Sequence, residues 1–185
     1  MVRRYFCIMK YIVWIVFLFV GASSSVAQIS DSMKRMIKEV EGLETVAYLD
    51  GSEVAVGYGH HVSNTEYDWI RMIQPGDEIT PVLAELLFDY DMLYLVSPGL
   101  ASIRQDIGMN YPSNVYDVMG SLIYNVGLSG LKQSNFYKLF CQGNYEKAFT
   151  ALLMLKSQDK GVFSRRKKEL RILLENYDFD RRCYR

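Results

Sequence analysis

The chain has 185 residues, half of them apolar and 14% aromatic, enough for one domain with a full core and unlike a disordered chain. Its 21 basic residues balance 21 acidic ones, so it lacks the electrostatic footprint of a protein that seeks nucleic acid or other polyanions. Low-complexity segments and internal repeats are absent from the sequence, which excludes solenoid and collagen-like architectures.

Residues 1–27 stand apart. "MVRRYFCIMK" is basic, "YIVWIVFLFVGA" is apolar and "SSSVAQ" offers small residues for cleavage, the three-part layout of a secretory signal peptide cut after Ala27. An uncleaved anchor is the alternative, although the apolar run is short for a membrane span of ~20 residues. Removing Arg3, Arg4 and Lys10 from the 21 basic residues leaves 18 against 21 acidic ones in residues 28–185, a net charge of −3. Cys141 and Cys183 remain there; they could pair in an oxidising compartment or stay as two thiols.

The next stretch, "ISDSMKRMIKEVEG", places Met33, Met36, Ile37 and Val40 at helical spacing. Asp31 or Ser32 can cap its start and Gly42 can end it. Glu41 then occupies the last turn, where the helix C-terminus opposes a negative charge. Residues 45–61 alternate β-type side chains around a "DGS" turn, a short hairpin or small sheet. From Thr80 onward the pattern is helical: Thr80 caps, Pro81 takes the first position, and Leu83, Leu86, Leu87 and Tyr90 form a stripe. Val115, Val118, Met119, Leu122, Ile123 and Val126 form a broader stripe, which predicts a central buried helix. Two more stripes follow, at Tyr145–Leu153 and at Leu170, Leu173, Leu174 and Tyr177. "QPGDE", "SPGLA", "NYPSN" and "QGNY" read as the breaks between helices. The expected fold is α+β, a small antiparallel sheet followed by a mainly helical lobe. Residues 28–185 form one domain, and the cleft between sheet and helices is bordered by Glu41 and Asp50.

Hydrolysis of a glycosidic bond needs a carboxylic acid to protonate the leaving oxygen and a second group to direct water or stabilise the developing cation. Glu41 on a helix end and Asp50 on an adjoining hairpin could supply the two, but acids at this spacing are also common as solvated surface groups. His60 and His61 are neighbours on a strand and point to opposite faces, and no Cys or HExxH set accompanies them. No metal and no cofactor is therefore expected.

The stretch "EGLETVAYLDGSEVAVGYGHH" resembles the phage-type lysozymes, the muramidases of bacteriophage endolysins, which open with Glu-Gly, a following Tyr and Asp, and then Gly-Tyr-Gly-His. The similarity continues in "GDEITPVLAELLFDYD", "YDVMGSLIYNVG", "QSNFYKLFCQGNYEKAF" and "GVFSRRKKE". It implies a lysozyme-like fold and cleavage between N-acetylmuramic acid and N-acetylglucosamine of peptidoglycan. Glu41 matches the family's general acid and Asp50 its second carboxylate. His60 would pair structurally with Asp91. Arg165 falls in the segment near the catalytic Glu and, with Ser52 and Asn125, is expected to meet substrate; Asn125 could equally be a helix-end cap. The chain departs from the pattern at Ala55, where the family carries a Thr whose hydroxyl holds the attacking water; a methyl group cannot do so. Its hairpin is one residue shorter, and the family's Trp before the last helix is missing, with Met154 and Leu155 nearby.

The reading is a monomeric peptidoglycan hydrolase, secreted or periplasmic. The alternatives are a glycan-binding module with little turnover and a lytic transglycosylase-like enzyme, which needs no water-holding group. The net charge of −3 favours local remodelling of the cell's own wall, in the service of a secretion or conjugation machine, over attack on anionic foreign walls.

Overall fold

The computed structural model describes residues 28–63, 65–108, 111–156 and 160–175. Residues 1–27, Tyr177 and Cys183 lie outside the described residues. The first helix, α1, runs Asp31–Glu41. Its cap is Ser30, not Asp31 or Ser32: the Ser30 hydroxyl accepts the Met33 N–H at 3.2 Å. The reason is tertiary. Asp117, far along the chain, takes the Ser30 N–H and hydroxyl, each at 2.7 Å, and so fixes where the helix begins. Met33, Met36 and Ile37 are buried, as their spacing requires. Gly42 ends α1 at φ 75° and ψ 165°, a conformation open to glycine alone.

Strands β1 (Glu44–Asp50), β2 (Glu53–Gly57) and β3 (His60–His61) form one antiparallel sheet in that order. Asp50 pairs with Glu53 across the two-residue turn Gly51–Ser52, and Gly51 takes the positive φ of 64° that the turn asks of its first residue. Tyr48 pairs with Ala55, and Ala55 with His61. The free edge of β1 is covered by residues 76–79: Ala47 N–H donates to the Asp77 carbonyl at 2.8 Å and Ile79 N–H to the Thr45 carbonyl at 2.8 Å.

A short helix, α2 (Asp68–Arg71), leads into α3 (Pro81–Asp91), which Thr80 caps through the Leu83 N–H at 3.2 Å. The expected break at "SPGLA" is absent. The chain stays helical through a π-helical turn, Met92–Val96, into α4 (Ser97–Ile107). Pro98 lies in the first turn of α4, where its missing N–H is tolerated. The Ser97 hydroxyl caps the Met92 carbonyl at 2.8 Å. Helices α5 (Ser113–Gln133, interrupted at Gly127), α6 (Asn135–Cys141), α7 (Tyr145–Met154) and α8 (Lys160–Leu174) complete the lobe. The larger core gathers α1, the middle of α5 and their neighbours; a smaller one lies under the sheet, around Ala47, Val56, Ile70 and Ile79. Helix α3 serves both, with Ala84 and Leu87 in the small core and Phe88 in the large one.

Gly120, on α5, lies against the N-terminal segment: a Cβ there would lie 2.2 Å from Ile29 Cγ2. Gly120→Ala should therefore destabilise by about 1–3 kcal/mol through overpacking, despite alanine's better helix propensity, as read by urea unfolding.

Candidate functional site

Glu41 ends α1 with its side chain 23% exposed. Arg165 of α8 donates to Glu41 Oε1 through Nη1. The guanidinium is 2% exposed and all three of its nitrogens are engaged: Nε donates to Glu169 Oε1 at 3.1 Å, and Nη2 to the Ser121 carbonyl at 3.0 Å. Arg166, fully buried, is held likewise, with Nε on the Leu155 carbonyl at 3.1 Å, Nη1 on Glu169 Oε2 at 2.5 Å and Nη2 on Asn125 Oδ1. The Ser121 hydroxyl donates to Glu169 Oε1 at 2.6 Å. Two fields thus oppose each other at Glu41: the helix C-terminus disfavours its negative charge and the guanidinium favours it.

The turn between β2 and β3 packs against this carboxyl group. Gly59, at φ 88°, presents its backbone there; a Cβ would lie 3.7 Å from Glu41 Oε2. Tyr124 of α5 donates to the Tyr58 carbonyl at 2.7 Å and pins the turn. Burial pushes the Tyr124 phenol well above its ordinary pKa, with smaller pushes from Asp91 and Glu41, so it serves as a fixed donor. The Tyr58 hydroxyl and Lys38 share Glu85, at 2.9 and 2.8 Å. The hydrogen bond from Lys38 holds the Glu85 carboxyl below its usual range.

Asp50 stands at the hairpin end, its side chain 62% exposed. Pairing puts Tyr48, Asp50, Glu53, Ala55 and His61 on one face of the sheet. On that face the Tyr48 phenol is pushed above its ordinary pKa, first by burial, then by the charges of Asp50, Glu44 and Glu41. Ser52 is exposed on the turn. Ala55 is wholly buried, so its methyl group lies under its neighbours and not in the open.

His60 lies on the opposite face, 1% exposed, with Nδ1 2.9 Å from Asp91 Oδ1. Nε2 faces Glu66 Oε1 at 3.4 Å without hydrogen-bond geometry. Burial disfavours the charged ring, but Asp91 and Glu66 outweigh it and raise the His60 pKa above 6.5. Beside it opens a hollow of about 320 Å³ whose walls include Gly59, His61, Tyr90, Asp91, Tyr94 and Tyr124. Tyr90 and Tyr94 pack there with ring centroids 4.5 Å apart and planes tilted by 39°. Gly59 is common to the hollow and to the setting of Glu41.

The sites read from the sequence therefore fall into three groups. Glu41, Arg165 and Asn125 meet through the arginine network; Asp50 and Ser52 share the hairpin end; His60 and Asp91 form a pair. Arg165 was expected to face substrate, yet its guanidinium is enclosed by protein. Ser121, Tyr124, Glu66 and His61 received no role from the sequence, and Glu169 only a place in a motif. The spacing of Arg165 and Arg166 to Glu169, four and three residues on a helix, was the available signal for the network.

The profile of the phage lysozyme family matches residues 38–169. The chain belongs to the phage lysozyme family. It is 30% identical over 153 residues to the endolysin of Bacillus phage B103, which covers 79% of this chain and 54% of that protein; the chain thus spans about half the length of this relative. Among solved structures, the endolysin from Escherichia coli O157:H7 phage FAHEc1 superposes with a TM-score of 0.60 at 26% identity, covering 81% of this chain and 95% of that one. The muramidase domain of SpmX from Asticaccaulis excentricus gives a TM-score of 0.64 at 22% identity, covering 80% and 97%. These likenesses bear out the lysozyme-like α+β fold.

The His60 pair has a pH signature with a definite sign. Because the folded pKa lies above 6.5, the protonated ring stabilises the fold fully below that value, and the contribution fades as pH rises through the folded pKa. His60→Ala should cost about 3–5 kcal/mol in acid and less at higher pH. Chemical denaturation of both proteins from pH 5 to pH 9 measures the difference.

Proposed function

We propose that the protein cleaves peptidoglycan by hydrolysis of the β-1,4 bond between N-acetylmuramic acid and N-acetylglucosamine, with Glu41 as the general acid. The observation that carries this reading is the setting of Glu41: a carboxyl group ending a helix, held by a buried guanidinium and backed by a glycine that opens onto a tyrosine-walled hollow. Membership of the phage lysozyme family supports it. Such a carboxyl group is rigid, and it has an open side on which a glycosidic oxygen can lie. Asp50, on the neighbouring hairpin, stabilises the cationic character that develops at the anomeric carbon. Arg165 has no free face for a sugar and serves to orient Glu41. Ser52 and the rings of Tyr90 and Tyr94 are the groups left open to the glycan. The leader read in residues 1–27 supports action outside the cytoplasm, and the net charge of the remainder supports wall remodelling at a secretion or conjugation machine.

A second reading, glycan binding without turnover, is favoured by Ala55, which brings a buried methyl group to the face where water would be activated. Products separate the readings. Incubation of the purified protein with peptidoglycan should release fragments with reducing ends, seen by mass. Anhydro ends would mean a transglycosylase, and retention on the polymer with no product would mean a binding module. Glu41→Gln keeps the shape and the hydrogen bond from Arg165 but has no proton to give. It should lower release by at least about 10²-fold with little change in melting temperature. Undiminished release by this variant would remove Glu41 from the chemistry.

A further inference from the structure

Hydrolysis by direct attack of water needs a group that receives the water's proton, placed across from the acid. On the hairpin face Ala55 cannot serve, and Ser52 is too weak a base to act unaided. The residue opposite Ala55 in the β2–β3 pairing is His61. Unlike its buried neighbour His60, it is 44% exposed. Its Nδ1 stands 3.1 Å from Glu53 Oε2 and its Nε2 3.6 Å from Asp50 Oδ2. The same ring lines the hollow that Gly59 closes against Glu41. Exposed pairs of this kind contribute little to stability, so a structural role does not account for an imidazole held between two carboxylates at this spot. Among the described residues no cluster of His, Cys, Asp and Glu is placed to hold a metal ion.

We propose that His61 is the general base of the reaction, with Glu53 and Asp50 as the carboxylates that orient it. The inference rests on the hydrolase reading and deepens it. The Glu53 carboxylate beside Nδ1 favours the ring form that carries its proton there, which leaves the Nε2 lone pair free. The oxygen of water bonds to the anomeric carbon as the bond from that carbon to the leaving oxygen breaks. One proton of the water passes to His61 Nε2, and the Glu41 proton passes to the leaving oxygen. Glu41 ends as a carboxylate and His61 as an imidazolium, and exchange with solvent restores both. Asp50, beside Nε2, stabilises the imidazolium as it forms.

The test is turnover of soluble glycan strands by His61→Ala and His61→Gln beside the parent, with kcat and KM separated and azide added. Both variants should fold, since the ring is exposed, and both should lose about 10²–10⁴-fold in kcat with KM little moved. Azide needs no base, so it should restore bond cleavage in His61→Ala and leave a glycosyl azide detectable by mass. Ala55→Thr should gain no rate, because position 55 is enclosed. If both His61 variants turn over like the parent while Glu41→Gln does not, the inference is overturned and the hydrolase reading stands. Loss of kcat without azide rescue also overturns it, leaving His61 a structural residue. Anhydro products, or none, from the parent overturn the inference and the hydrolase reading together.

Discussion

A buried guanidinium must find an acceptor for each of its nitrogens, or the helix that carries it cannot pack. Helix α8 carries two in succession, and the fold is arranged around satisfying them. Glu169, one turn further on, stands between Arg165 and Arg166 and takes a bond from each. Ser121 and Asn125 on α5, the Leu155 carbonyl after α7 and Glu41 on α1 take the remainder. Four parts of the chain are thereby brought to one point. The position of Glu41 is a consequence of how the last described helix docks, 124 residues away in sequence. A network of this kind tolerates no missing member, because a lost partner leaves a charge buried and unpaired.

That dependence explains what could be read from the sequence. Helices α1, α3 and α5 carry strong apolar stripes, and their existence and buried faces follow from periodicity. The "DGS" turn follows from the conformational freedom of Gly51. The pairing of His60 with Asp91 came from the family resemblance, and the packing of β3 on α3 brings the two residues together. The start of α1 at Ser30 was not legible, since Asp117 decides it from outside the local sequence. Nor was the burial of Arg165: two arginines on a polar helix look like a solvated face until the partners converge. Strand geometry turns His60 and His61 to opposite faces and argues against a metal shared between them. The same geometry, applied across the β2–β3 register, sets His61 opposite Ala55 and beside Asp50.

The two cores share α3, and the sheet is tied to both. Lys38 on α1, Tyr58 on the β2–β3 turn and Glu85 on α3 form one polar clip, while Gly57 lets the sheet approach α3 so closely that a Cβ would lie 3.3 Å from that of Ala84. The wall of the cleft behind Glu41 is thus fastened from the sheet side by Tyr58 and from the helical side by Tyr124, which leaves little freedom for the turn that carries Gly59.

The π-helical turn after α3 solves a problem of phase. Phe88, Met92, Val96 and Leu100 are all buried and recur every four residues. In an α-helix of 3.6 residues per turn, each such step would overshoot a full turn by about 40°, and the row would spiral off the core. The wider turn absorbs the excess and keeps the four side chains in line. Its opposite side bears the remainder of the turn, Leu93, Tyr94 and Leu95, all exposed. The geometry that keeps the interior row straight therefore also sets out a ledge of apolar side chains beside the cleft. A one-residue deletion there would let the segment close as ordinary α-helix, leave Val96 and Leu100 on the core side seven and eleven residues after Phe88, and narrow the ledge.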